Sequence, residues 1–187
     1  MTLTREALAA LIDGLAGLPY GSEVVDQRTH ALQAGWHAGR ARADDELLLA
    51  AVLHDIGRAR PVLAQWPGLP HELAGAEFAR RHRGERVAWI IAQHVPAKRY
   101  LVATDPGYAA RLSPASVASL QRQGGPMSDE EASAFGAHPD AGEAVMVRRW
   151  DDAAKDPYGP VLPIADVLDA YGRVCAGRDF ADQRPLL

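Results

Sequence analysis

Cysteine is almost missing from this chain: Cys175 is its only representative, which excludes an intrachain disulfide framework and any cysteine-rich zinc or iron–sulfur site. A bound metal would have to be held by nitrogen and oxygen donors, which suit iron, manganese or zinc. An excess of positive charge is missing too. Lys and Arg number 20 against 24 Asp and Glu, for a formal charge of -4 and a pI near 6.0. That balance excludes the broad basic face of a general nucleic-acid binder. No stretch approaches the ~20 apolar residues of a membrane span. Met1-Thr2-Leu3-Thr4-Arg5-Glu6 lacks the basic segment and apolar run of an export signal. The expectation is a cytoplasmic protein with neither nucleic acid nor membrane as a partner. Alternating apolar and polar residues, internal repeats and low-complexity tracts are absent as well, so strands and solenoids are not expected. A length of 187 residues fits one domain, 1–187, with a core from about 17 to 176.

What the chain does have is the run Leu47-Leu48-Leu49-Ala50-Ala51-Val52-Leu53-His54-Asp55-Ile56-Gly57. A run this apolar reads as a helix buried on most sides, because an amphipathic helix would show polar residues every third or fourth position. His54 and Asp55 at its end are therefore placed in the interior, where a carboxylate needs an ion pair, hydrogen bonds or a metal.

Helical segments flank this run. Residues 3–16 form one, and the break Gly17-Leu18-Pro19-Tyr20-Gly21 carries Tyr20. Ser22 can cap a second helix to about Ala43, with Glu23 in its first turn. Asp44-Asp45-Glu46 opens the central helix and Gly57 can stop it. The prolines of 58–70 predict a loop. Helices are expected over His71–His82 and Glu85–His94, the latter interrupted by Pro96, with a short one at Tyr100–Val102. Ser113-Pro114 starts a helix that Gly124-Gly125 stops, and Ser128 with Glu131 fits a capping box. Pro139-Asp140 begins a helix through Asp151, and a last one spans about Ile164 to Ala176 before a polar tail. The fold class expected is all-α, a helical bundle around a buried site.

Of seven histidines, His30, His54, His71 and His94 fall on four successive helices near the central pair, and Asp151 on a fifth. One such histidine is more often a core residue bonded to a carbonyl. The set is better explained by metal. We expect His30, His54, Asp55 and Asp151 to hold one ion, and Asp55, His71 and His94 the other. His37, His82 and His138 lie in polar stretches and are read as ordinary histidines.

The pattern of a His, then His-Asp on a buried helix, then a distant Asp resembles the HD-domain superfamily; His71 and His94 resemble the added ligands of its dinuclear members. Most HD proteins are phosphohydrolases. A finer resemblance runs from about residue 17 to 156. It rests on Tyr20 and Glu23, His94-Val95-Pro96-Ala97-Lys98-Arg99-Tyr100-Leu101, the segment Leu112 to Gly125, and Arg148-Arg149-Trp150-Asp151-Asp152. These are similar to the HD-type mixed-valent diiron oxygenases of organophosphonate breakdown.

The resemblance implies two iron ions, Fe(II)/Fe(III), and O2 as co-substrate. It implies cleavage of the C–P bond of a small α-hydroxyphosphonate, such as 2-amino-1-hydroxyethylphosphonate, to glycine and phosphate, or of a close analogue. Tyr20 would occupy an iron site until substrate arrives, and Glu23 would meet an ammonium group. Lys98, Ser116 and Arg148 would hold the phosphonate. Arg58 stands where those relatives carry a substrate-holding histidine, and it could grip the phosphonate or mark another acid.

Each residue also has a plainer reading. Tyr20 could be a packed loop residue and Glu23 a first-turn helix acid. Lys98, Arg99, Arg148 and Arg149 could be solvated, and Lys155 could pair with Asp151 or Asp152. The alternatives to the oxygenase are an HD metal-dependent phosphohydrolase acting on a phosphate ester or nucleotide, and a degraded module that only binds a ligand.

Overall fold

The structure is a computed structural model whose backbone is described for residues 3–182 and whose side chains for residues 3–177. Ten α-helices follow one another: α1 (Arg5–Asp13), α2 (Gln27–Arg40), α3 (Asp45–Leu53), α4 (Arg60–Leu63), α5 (His71–His82), α6 (Glu85–Thr104), α7 (Pro114–Arg122), α8 (Asp129–Gly136), α9 (Ala141–Ala153) and α10 (Ile164–Asp182). No strand occurs among the described residues. The end of the polar tail, 183–187, lies outside them.

The apolar run is the centre of the bundle, as its composition requires. Asp44 caps α3 by accepting from the Leu47 amide at 2.9 Å, and Leu49, Ala50, Ala51 and Leu53 are wholly buried. Helices α2, α6, α9 and α10 pack around it. Each fully buried leucine contributes about 2 kcal/mol through removal of apolar surface from water. One continuous core joins Leu8 and Ile12 of α1 to Val167 and Tyr171 of α10.

Four local expectations change. Helix α2 starts four residues late: Asp26, not Ser22, is its cap, accepting from the Thr29 amide at 2.7 Å. Asp26 also accepts from the Gly17 amide at 2.8 Å, so residues 20–25 remain a loop and Glu23 is not a first-turn acid. Helix α3 ends at Leu53, and Gly57 serves close approach rather than termination. A Cβ on Gly57 would overlap the His71 carbonyl oxygen and come within 2.8 Å of the Gly75 nitrogen. The proline-rich stretch contains a short helix, α4, because Pro61 sits in a first turn where no amide donor is needed.

The fourth concerns Pro96, which does not interrupt α6; one helix runs from Glu85 to Thr104 and absorbs the segment expected at Tyr100–Val102. A mid-helix proline costs about 3 kcal/mol. Here that cost is offset because the helix is anchored on both sides, by Val87, Ile90 and Ile91 before the proline and Ala97 and Leu101 after it, all buried. The consequence is chemical: His94 and Lys98 are one turn apart on a single helix.

Candidate metal centre

The turn after α3 presents His54 and Asp55, and the surrounding helices bring their histidines to it. His30 comes from α2, His71 from the first residue of α5, His94 from α6 and Asp151 from α9. All but His71 are buried. They separate into two groups, each with ligand atoms within 4.8 Å of one another: His30, His54 and Asp151, and Asp55, His71 and His94. In the first, Nε2 of His30 is 3.0 Å from Nε2 of His54 and 3.4 Å from Oδ1 of Asp151. In the second, Oδ1 of Asp55 is 2.9 Å from Nε2 of His71 and 3.6 Å from Nε2 of His94. Edge-to-face rings of His54 and His94, centroids 5.1 Å apart, join the groups. Asp55 falls in the second group alone, whereas the sequence reading has it bridging both.

The other ring nitrogens show why a cation fits. Nδ1–H of His30 donates to the Ala154 carbonyl at 2.8 Å, that of His54 to Ala51 at 2.7 Å and that of His94 to Ile91 at 2.7 Å. His71 presents Nδ1 to Glu72 at 3.0 Å. With the proton held on Nδ1, the Nε2 atoms of His30, His54 and His94 carry bare lone pairs that point into the site. Two at 3.0 Å repel unless something positive lies between them. This is the outer-sphere arrangement that fixes a metal-binding histidine tautomer. His54 and His94 use the same local device, a ring turned back onto the carbonyl three residues earlier in its own helix.

Electrostatics favour the neutral form at His54 and His94. Burial, then repulsion from His54 and His71, lowers the His94 imidazolium to about 3, and burial lowers His54 as well. Burial alone would raise the carboxyls of Asp55 and Asp151. Arg58 and His71 outweigh it at Asp55, and Arg148 and His30 at Asp151, so both lie well below the ordinary carboxylate range. His71 moves the other way, to about 9: burial would lower it, but the charge and hydrogen bond of Asp55 together with the hydrogen bond of Glu72 outweigh that cost.

A cavity of about 340 Å³ opens onto the groups, lined by Tyr20, Glu23, Arg58, Lys98, Ser116 and Lys155 among others. The Tyr20 hydroxyl donates to Oδ1 of Asp151 at 2.6 Å, and its ring stacks on His30 with centroids 3.7 Å apart. Arg58 donates from Nε to Oδ2 of Asp55 at 2.9 Å and lies 3.1 Å from Nε2 of His71, so a cation already rests on the second group. Lys98 donates to Oγ of Ser119 at 2.7 Å, and burial lowers its ammonium to about 8. Arg148 is buried and bonded to Asp151 at 2.6 Å, to Tyr108 at 3.0 Å and to Asp152.

Several participants have no signature in the sequence. The carbonyls of Ala51, Ile91 and Ala154 belong to unremarkable residues, although the two i−3 pairings follow from helix geometry. Ser119, Glu72, Tyr108 and Asp152 hold Lys98, His71 and Arg148 from side chains that have a plainer reading in isolation. Lys155 lies 3.9 Å from Oδ1 of Asp152, one of the two partners its spacing suggests, and also reaches Glu23 and Ser116. His37, His82 and His138 lie in neither group; His138 stacks on Trp89 at 3.6 Å.

The HD-domain family model matches residues 28–171. The chain is 40% identical over 148 residues to a hydroxymethylphosphonate dioxygenase of Gimesia maris, covering 74% of this chain and 72% of that one. It is 35% identical over 155 residues to a [1-hydroxy-2-(trimethylamino)ethyl]phosphonate dioxygenase (glycine-betaine-forming) of Leisingera caerulea, covering 80% and 79%. It is also 32% identical over 152 residues to the uncharacterized protein L432 of Acanthamoeba polyphaga mimivirus, covering 78% and 69%. The chain therefore belongs to the HD-domain family, in the branch that holds the phosphonate dioxygenases.

Proposed function

We propose that the protein is a diiron oxygenase that uses O2 to cleave the C–P bond of a small α-hydroxyphosphonate. The observation that carries the reading is the pair of facing histidine–carboxylate groups at the floor of a cavity rich in cations. The kinship with two phosphonate dioxygenases supports it. His30, His54 and Asp151 would hold one iron and Asp55, His71 and His94 the other. The pair would be mixed-valent, and bound there it would supply O2 activation and coordination of the substrate's hydroxyl and phosphonate oxygens.

The balance needs no further reactant. An α-hydroxyphosphonic acid and O2 give a carboxylic acid and phosphate: the C–P bond breaks, the hydroxyl carbon is oxidised, and O2 takes the electrons. One of its oxygens completes the phosphate and the other the acid.

The chain's own side chains would bind and orient the substrate. Lys98 and Ser116 would grip phosphonate oxygens, since charge-assisted hydrogen bonds are the stronger ones available. Arg148 would assist with donors not taken by its carboxylates, and would fix Asp151. Arg58 would release Asp55 and His71 and turn to the phosphonate. Tyr20, on the loop between α1 and α2, would leave Asp151 as substrate enters and keep water out until then.

Iron-loaded, partly reduced protein is expected to consume O2 and release phosphate from α-hydroxyphosphonates, with a mixed-valent EPR signal that changes on substrate addition. His71→Ala or His94→Ala is expected to lose one iron and keep the other. A redox-silent site that hydrolyses phosphate esters and ignores phosphonates would overturn this in favour of an HD phosphohydrolase.

A further inference from the structure

We propose that Lys155 sets substrate specificity by neutralising Glu23, so that the site takes α-hydroxyphosphonates whose carbon bears hydrogen or a small uncharged group and rejects those with a cationic tail. The proposal rests on the phosphonate reading of the same cavity.

Among the residues lining the cavity the only carboxylates are Glu23, Asp55 and Asp151. Asp55 and Asp151 belong to the two ligand groups. Glu23 alone is left to attract an ammonium group of a substrate, and it is not free to do so. Its Oε1 accepts from the Ser113 hydroxyl at 2.7 Å and lies 3.5 Å from Nζ of Lys155. The two side chains are only 21% and 14% exposed, so their charges meet in a partly dehydrated space where solvent screening is reduced.

Lys155 is itself fixed from several sides. It donates to Oγ of Ser116 at 3.1 Å, lies 3.9 Å from Oδ1 of Asp152 and stands 5.7 Å above the Tyr20 ring. Its ammonium therefore occupies the place a substrate amine would take. A cationic tail would have to displace Lys155 from these partners or lie against a like charge. A hydrogen or methyl group meets no such penalty. The lysine also leaves the cavity with a surplus of cations for a phosphonate dianion: Arg58, Lys98, Arg122, Arg148 and Lys155 against one carboxylate outside the metal groups.

The test compares hydroxymethylphosphonate, 1-hydroxyethylphosphonate and 2-amino-1-hydroxyethylphosphonate with iron-loaded full-length protein. O2 uptake and phosphate release are measured, and equilibrium binding is measured without O2. The two uncharged-tail compounds are expected to exceed the amine in kcat/KM by about tenfold or more, a difference carried by binding. Lys155→Met is expected to shift that ratio toward the amine by about tenfold, through KM and the dissociation constant. Lys155→Arg is expected to keep the parental preference. Glu23→Gln, which strands the lysine's charge, is expected to weaken amine binding further. A parental preference for the amine, or a Lys155→Met ratio unchanged in both turnover and binding, would overturn the proposal. Turnover of none of the three would instead overturn the phosphonate reading and carry this proposal with it.

Discussion

At the scale of single residues, most of the site is decided by what holds the back of each functional group. An imidazole can offer either nitrogen, and here a carbonyl or Glu72 takes Nδ1 of all four histidines. Lys98 shows the same dependence on neighbours. Its burial, followed by repulsion from Arg148, lowers its ammonium to about 8, so a cation is present below that pH and lost above it. Binding of a phosphonate dianion should therefore weaken as pH rises through about 8. A pH profile of kcat/KM is expected to fall with an inflection near that value, and Lys98→Arg is expected to remove the inflection, because a guanidinium stays charged throughout the range.

At the scale of elements, the position of α5 depends on a missing side chain. Gly57 lies against the backbone of His71 and Gly75, where a Cβ cannot fit unless the helix moves. Gly57→Ala is expected to push the start of α5 outward, to cost about 2 kcal/mol by overpacking, and to lower occupancy of the second ion while sparing the first. Metal content together with a denaturant titration would check both parts. A protein that keeps two ions and full stability would show that α5 can yield without moving His71. Helix α6 carries a different lesson. Its proline breaks the local pattern, yet the helix persists because core residues on both sides fix its direction.

At the scale of the whole molecule, four histidines gathered against the core make stability depend on pH when no metal is bound. His94 has a folded pKa of about 3 against an ordinary 6.5, so it takes up a proton on unfolding, and acid favours the unfolded chain between those values. His71 has a folded pKa of about 9, so it loses a proton on unfolding, and its contribution fades as pH rises from 6.5 to 9. Chelator-treated protein is therefore expected to melt highest near pH 6.5 and lower on either side. Restored metal should raise the melting temperature at neutral pH, since a ligand bound only by the folded state stabilises it. A flat profile for the chelated protein would show that the groups relax apart without an ion.

The sequence by itself determined the helical class and the burial of α3, which follow from periodicity and from the composition of the central run. It pointed to the donors around α3 through their placement on successive helices and the likeness to the HD pattern. The likeness over 17–156 pointed to phosphonate chemistry because several motifs occur in order. The tertiary structure alone decided matters that need distances between segments far apart in the chain. It sorted the donors into two groups, with Asp55 in one of them. It kept α6 whole across Pro96 and held residues 20–25 as a loop through Asp26. It also set Lys155 against Glu23, across 132 residues of chain. A local pattern records which face of a helix is apolar, but which charge meets which across the bundle depends on how the helices pack, and no spacing along the chain encodes that.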